Sequence, residues 1–273
     1  FRSNFGIDFT GGTLIEVGYS QRPDQTLLQE QLVALDDSAT VRPSGTNGYL
    51  IKMKPVDQAE KAKVMDILKI NESASTTLKA ELKTFDSIGP ILGKEALRKA
   101  MVSIVLVIVG IVLFITFAFR KVSEPVSSWK YGLVAIVALV HDVIIPTGAF
   151  SILGHFYGYE IDTLFVTAIL VILGFSVHDT IVVFDRVREN LRLQGKRTSF
   201  ENIVGESINQ TIVRSINTSL TTLIALVVLY FVGGNATEHF SLALIIGIAA
   251  GTYSSIFVGS ALLVTIEKWS KKR

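Results

Sequence analysis

Asp179 and Arg214 stand where ionisable groups are costly. Asp179 lies inside the run IDTLFVTAILVILGFSVHDTIVVFDRVREN, Ile161–Asn190, and Arg214 opens the next apolar run within TIVRSINTSLTTL. A charged side chain at the centre of a membrane-spanning helix costs about 2.5–3.5 kcal/mol on insertion scales, and such residues usually face a bundle interior or a polar path. A carboxylate and a guanidinium on neighbouring helices form a natural pair. The chemistry they offer is a proton relay, in which Asp179 loads and releases a proton and Arg214 regulates its protonation. The structural alternative has Arg214 snorkelling to lipid headgroups while Asp179 serves only as a hydrogen-bonding partner.

Other polar residues invite the same question. His141-Asp142 sits in the middle of an earlier apolar run, with Pro146 following at i+4. Proline leaves the carbonyl of Asp142 without its helical donor. A kink with local polar repair therefore stands beside a secondary polar path running through Asp142, Asn217 and Thr218. His178 points about 100° away from Asp179 on a helix and is assigned to packing or a hydrogen bond. Asn217, Thr218, Ser219, Thr221 and Thr222 make the start of their run polar, either wetting the surroundings of Arg214 or joining helices. Gly247, Gly251, Ser255 and Gly259 recur every fourth residue and form a helix-packing face.

These residues need helices to hold them, and the chain supplies long apolar ones. Of 273 residues, 49% are hydrophobic, and after Met101 they gather into long runs. Five are long enough to span a bilayer, at about 97–119, 131–156, 161–184, 211–232 and 240–266. The net charge of +2 says little, but the placement of the charges says more. Arg120, Lys121 and Lys130 follow the first run. Arg186, Arg188, Arg192, Lys196 and Arg197 follow the third, and Lys268, Lys271, Lys272 and Arg273 end the chain. The remaining two connections, around Gly154–Glu160 and Gly233–His239, carry no Lys or Arg. The basic side is cytoplasmic by the positive-inside rule. The C-terminus then lies inside and the segment before the first run outside, which predicts an additional span before Phe1, six in all. Asp179 precedes Arg186 by seven residues, which places it roughly 10 Å inside the cytoplasmic interface. Arg214, near the cytoplasmic start of its own helix, has similar depth. Asp185–Arg188 and Glu189–Arg192 are i,i+3 pairs, consistent with the third helix continuing into the cytoplasm.

Residues 1–92 are a different material. GTLIEVGYS reads as a strand, QTLLQEQLVAL as an amphipathic helix, Ala39–Arg42 and Tyr49–Lys54 as a hairpin turning at Asn47-Gly48, Asp57–Ile70 as a second helix and Leu82–Ile88 as a last strand. The order β-α-β-β-α-β is that of a ferredoxin-like sandwich. The expected fold is thus a polytopic α-helical membrane protein, residues 93–273, carrying a small α+β ferredoxin-like extracytoplasmic domain. The chain has no cysteine, which excludes disulfides, thiol nucleophiles and Cys-ligated metals. Neither His-Asp pair has metal-ligand spacing, so no metal is expected. Gly11-Gly12 lacks a phosphate-loop pattern. No Ser-His-Asp set, paired-carboxylate site or basic nucleic-acid face emerges, so neither an enzyme, a cofactor nor a nucleic-acid partner is expected.

The longer motifs resemble the SecF branch of the SecD/SecF family of protein-export membrane proteins. The resemblance rests on FGIDFTGGT (Phe5–Thr13), VHDTIVVFDRVREN (Val177–Asn190), RSINTSLTTL (Arg214–Leu223) and GTYSSIFVGSAL (Gly251–Leu262). It covers the whole chain and implies an RND-like helix bundle in the bacterial cytoplasmic membrane. The implied partners are SecD, separate or fused, the SecYEG channel, the translocating preprotein and the lipid bilayer. The implied role is coupling of proton flow to late steps of polypeptide translocation. By the resemblance Asp179 and Arg214 occupy the proton-transfer positions, with a further aspartate supplied by SecD. An RND-type small-molecule exporter would need much larger outer domains than residues 1–92. A non-transporting scaffold would tolerate neutralisation of Asp179 and Arg214.

Overall fold

The computed structural model describes residues 4–68, 80–120, 127–194 and 198–271. Lys121, Lys196, Arg197, Lys272 and Arg273, and the last two residues expected of the second amphipathic helix, lie outside them. The chain divides into two compact units, Phe5–Lys99 and the residues from Ala100 onward with Asn4.

The first unit is an antiparallel four-stranded sheet. After the short helix α1 (Ile7–Thr10) come β1 (Gly12–Tyr19), α2 (Gln25–Val33), β2 (Thr40–Ser44), β3 (Gly48–Met53), α3 (Gln58–Ile67) and β4 (Ala80–Ile88). The strand order is β2-β3-β1-β4, with every neighbouring pair antiparallel. This is the ferredoxin-like arrangement that the element order predicts. Alternation along β1 sends Ile15, Val17 and Tyr19 into a core shared with Ile51, Leu28, Leu32, Val64 and Leu68. Asp24 caps α2 by accepting from the Thr26 amide, and Asp57 and Glu60 form a reciprocal capping box on α3.

The hairpin turn differs from the expected one. The loop between β2 and β3 takes its left-handed residue at Gly45, φ 57°, while Gly48 already belongs to β3. Gly48 has another reason to lack a side chain, because a Cβ there would stand 2.8 Å from the Val17 carbonyl oxygen. Gly11 (φ 74°) and Gly12 (φ 138°) carry a sharper constraint. Their positive φ values are strained for L side chains. A Cβ on Gly11 would also approach Pro90 Cα to 2.7 Å.

In the second unit the long helices are the remainder of α4 (Pro90–Ala118), α5 (Ser128–Tyr157), α6 (Thr163–Gln194), α7 (Phe200–Val232), α8 (Asn235–Tyr253) and α9 (Ser260–Lys271). A π-helical turn, Ser254–Gly259, joins α8 to α9 without a break. Among the described residues five helices are long and apolar enough to cross a membrane. Pro146 sits inside α5, which continues through it, and the Thr147 hydroxyl donates to the Val143 carbonyl at 2.7 Å. Helix α6 packs against α5, α7 and α8. At its far end Phe184 meets Tyr131 and Phe119, with ring centroids 5.3 and 6.1 Å away.

α6 and α7 extend beyond the apolar windows as a polar hairpin. Asn190 donates to Ser207 and Gln210, both at 2.9 Å, and Gln194 donates to Glu206 at 2.6 Å. Asp185 pairs with Arg188 as the spacing predicts, whereas Glu189 pairs with Arg186 at 2.5 Å rather than with Arg192. Both are i,i+3 partners on one helix surface, and Arg186 also donates to Gln210 of α7.

Asp36, after α2, ties the turn leading into β2 to the residue after β3, accepting from the Ser38 and Lys54 amides. Burial pushes its carboxyl up. The Lys54 and Ser38 amides, the Ser38 hydroxyl and the Lys54 ammonium outweigh that and hold it well below the usual carboxylate range. A depressed folded value means stability that is complete above the unfolded value of about 3.9 and is lost as pH falls below it. Amide hydrogen exchange in Gly48–Met53 should therefore accelerate as pH drops below about 4, after correction for intrinsic rates. In Asp36→Asn that acid step should be absent. An equal step in both proteins would remove Asp36 as its origin.

Candidate functional site

Three side chains within little more than one turn of α6 reach α5, α7 and the π-helical turn. Ser176 donates to Asp142 Oδ2 on α5. Asp179 turns towards α7, near Ser215 and Ser219. Thr180 shares a 2.9 Å hydrogen bond with Ser255 of the π-helical turn. Ser255 in turn donates to the Ser176 carbonyl at 3.1 Å, and Ser219 shares a 2.6 Å bond with Thr252 of α8. The result is a polar layer through the middle of the bundle, centred on α6.

The small-residue stripe makes this layer possible. A Cβ on Gly247 would stand 2.1 Å from Ile172 Cδ1, and one on Gly251 would stand 3.0 Å from Ser176 Cβ. With Ser255 beside Thr180 and Gly259 opposite Phe184, positions 247, 251, 255 and 259 meet 172, 176, 180 and 184. Both series step by four residues in the same direction, so α6 and α8 run parallel in ridge-to-groove contact. The π-helical turn, absent from the sequence reading, turns both Ser254 and Ser255 into the buried interior. Such turns inside α-helices are frequent at functional sites.

Both acids are buried, Asp142 at 0% and Asp179 at 2% relative exposure. Asp142 is saturated by Ser176 and by His141, whose Nδ1 lies 3.0 Å from Oδ1. Asp179 is not saturated. Its Oδ2 has no hydrogen-bond partner among the described residues, and neither has the buried Ser215 hydroxyl. His178 Nδ1 is 3.7 Å from Oδ1, with the imidazole largely exposed. The ion pair expected between Asp179 and Arg214 is not formed among the described residues. Arg214 is exposed on α7, one residue before Ser215, and so is Asn217. A helix places residue 214 about 100° from residue 215, so the serine turns towards α6 while the arginine turns away. Thr218 is half-buried and donates to the Arg214 carbonyl at 2.9 Å. No three His, Asp or Glu side chains gather as a metal-binding group among the described residues.

The profile of "Protein export membrane protein SecD/SecF, C-terminal" matches residues 68–269, and that of the SecD/SecF GG motif matches residues 4–21. The chain belongs to the SecD/SecF family. The protein translocase subunit SecF of Thermobaculum terrenum is 45% identical, over 98% of this chain and 86% of that protein. SecF of Pseudomonas aeruginosa is 38% identical, over 98% and 83%. The crystal structure of SecDF from Thermus thermophilus, described as a translocon-associated membrane protein, superposes with a TM-score of 0.81 at 33% identity. It covers 97% of this chain, which spans about a third of SecDF (34%). The GG motif of the family is the Gly11-Gly12 pair whose positive φ values and close approach to Pro90 and Met53 leave no room for a side chain.

Sequence reasoning did not single out Ser176 or Ser215 as members of the site. Ser176 lies within a turn of Asp179, but α6 carries small hydroxyls on more than one face, and Ser215 follows Arg214 in a run of several hydroxyl residues. The close packing can be tested directly. Gly251→Leu should destabilise the bundle by about 1–3 kcal/mol through overpacking, lowering its thermal midpoint in detergent. Val228→Leu, on the exposed side of α7, should leave the midpoint unchanged. Equal midpoints for the two variants would contradict the contact.

Proposed function

We propose that this chain is the SecF-like half of a proton-driven unit that helps polypeptides leave the SecYEG channel across the bacterial cytoplasmic membrane. The observation that carries this reading is the Asp179 carboxyl, buried between α6 and α7 with one oxygen unsatisfied. A group so placed can take up a proton without breaking an existing bond. Each proton crossing the membrane potential supplies about 2.3 kcal/mol per 100 mV. A change at Asp179 acts on the layer that holds α6, α7 and α8 together, and through it on the outer domain.

SecD supplies the missing half of the path. Arg214, Asn217 and Thr221 lie on one exposed stripe of α7. Facing hydrocarbon, an arginine and an asparagine would be costly. A partner helix covering the stripe resolves that cost and brings its own acidic residue to Arg214. The fused SecDF of Thermus thermophilus, 33% identical over 99% of this chain, supports such a pairing. The partner is SecD as a separate chain or as a fused half. Arg214 then regulates the proton path from the subunit boundary, and Asn217 and Thr218 line it. The role involves no covalent catalysis.

In vesicles carrying SecYEG, SecA and SecD, Asp179→Asn and Arg214→Ala should each abolish the increment of translocation that an imposed proton gradient adds. Translocation driven by ATP alone should persist. A full gradient-dependent increment in Asp179→Asn, at wild-type protein levels, would exclude Asp179 as a proton carrier. The orientation is a separate matter. The first domain is placed outside and the basic loops inside, because the Lys- and Arg-rich connections share one side. An impermeant thiol reagent should label Ser44→Cys but not Ser199→Cys from outside the membrane, and the reverse pattern would invert the topology.

A further inference from the structure

A second buried acid lies on the other side of α6. Asp142 is fully enclosed where α5, α6 and α8 meet, and no lysine or arginine forms an ion pair with it among the described residues. The nearest lysine or arginine on α5 itself is Lys130, twelve residues earlier, about 18 Å along the axis. The titratable side chains on the surrounding turns are His141 on α5, His178 and Asp179 on α6, and Tyr253 on α8. A buried carboxylate lacking a cation is costly unless it is neutralised or compensated. Here the compensating group is His141, with its Nδ1 3.0 Å from Asp142 Oδ1.

The two members of this pair differ in access. Asp142 is sealed, whereas the His141 side chain is 30% exposed, with the Tyr253 ring 6.5 Å away. Ser176 holds the far oxygen, Oδ2, so Oδ1 is directed to the imidazole. On the α8 side, Gly251 presents no side chain to Oδ2; a Cβ there would stand 3.6 Å away. The Ser176 carbonyl then continues through Ser255 to Thr180, the residue after Asp179.

We propose that Asp142 is a second proton-binding carboxyl of this chain, loaded and unloaded through His141 and distinct from Asp179. Protonated His141 gives its Nδ1 proton to Asp142 Oδ1, and the ion pair becomes a neutral acid beside a neutral imidazole. The imidazolium forms beforehand, when neutral His141, its proton on Nδ1 towards Oδ1, takes a proton at Nε2 from the exposed side, and after the transfer the ring is left as the Nε2–H tautomer. Unloading reverses these steps. Ser176 is a positioning residue that fixes which carboxyl oxygen meets the imidazole. The change is felt at the π-helical turn, because Ser255 hangs on the same Ser176. This inference rests on the reading of the chain as proton-coupled.

The test is infrared difference spectroscopy of the intact chain, reconstituted with SecD in liposomes, between acid and alkaline pH. It reads the C=O stretch that only a protonated carboxylic acid shows. Asp142→Asn should lose one component that Asp179→Asn keeps, and the double variant should lose both. Asp142→Glu should keep its component at a changed frequency, and Ser176→Ala should shift the titration midpoint of that component alone. After a pH jump, His141→Gln should slow the appearance of the Asp142 component and not that of Asp179. If Asp142→Asn and Asp142→Glu both reproduce the wild-type spectrum while Asp179→Asn loses a component, Asp142 does not titrate and the relay at Asp179 stands. Loss of a component in neither acid's variant would overturn both. An unchanged rate in His141→Gln would remove His141 from the path.

Discussion

The bundle depends on how closely α6 approaches α8. Two parallel helices meet through Gly247, Gly251, Ser255 and Gly259 on one side and Ile172, Ser176, Thr180 and Phe184 on the other. In a bilayer no hydrophobic force distinguishes helix from lipid, so close packing and interhelical hydrogen bonds must hold the bundle together. A stripe of small residues supplies the first. The serine and threonine hydroxyls that the small residues admit supply the second.

The polar layer follows from that contact. Ser176 and Thr180, four residues apart, share the face against α8 and the π-helical turn, from which Ser176 also reaches Asp142, while Asp179, about 100° from Thr180, turns to α7. One helix thereby touches a saturated acid on α5, an unsaturated acid's pocket on α7 and a hydroxyl on the π-helical turn. The π-helical turn matters because the extra residue it inserts re-aims the side chains that follow. It turns Ser254 and Ser255 inward just where α8 crosses the level of Asp142.

The sheet-containing unit obeys different physics. Its core is a sandwich driven by burial of aliphatic side chains from one sheet face and two helices. Gly11-Gly12 sets its starting geometry, with β1 beginning at Gly12 and Pro90 standing close beside Gly11. The polar hairpin beyond α6 and α7 provides a third environment, where side-chain amides and carboxylates replace apolar contact as the helices leave the spanning region.

Much of this was legible in the sequence, since long apolar runs, alternation in β1 and the β-α-β-β-α-β order are local patterns. Each is fixed by bilayer thickness or by the period of a strand or helix. The family motifs were legible for the same reason, as contiguous strings. The hairpin showed the limit of local reading: Asn47-Gly48 signals a turn, but the left-handed residue is Gly45, and Gly48 is glycine because Val17 of another strand lies against it. The site shows the limit more strongly. The sequence identified Asp179 and Arg214 as costly residues at similar depth, yet it left open which way each turns. Only tertiary packing placed Asp179 towards Ser215 and Ser219 while Arg214, one residue earlier on α7, faces outward. Likewise it was the crossing of α5, α6 and α8 that joined Asp142 to Ser176 across a sequence separation no local pattern records. Helix periodicity fixes the angle between neighbours on one helix, but not the rotation of that helix against another. That rotation is decided by where the small residues allow two backbones to meet.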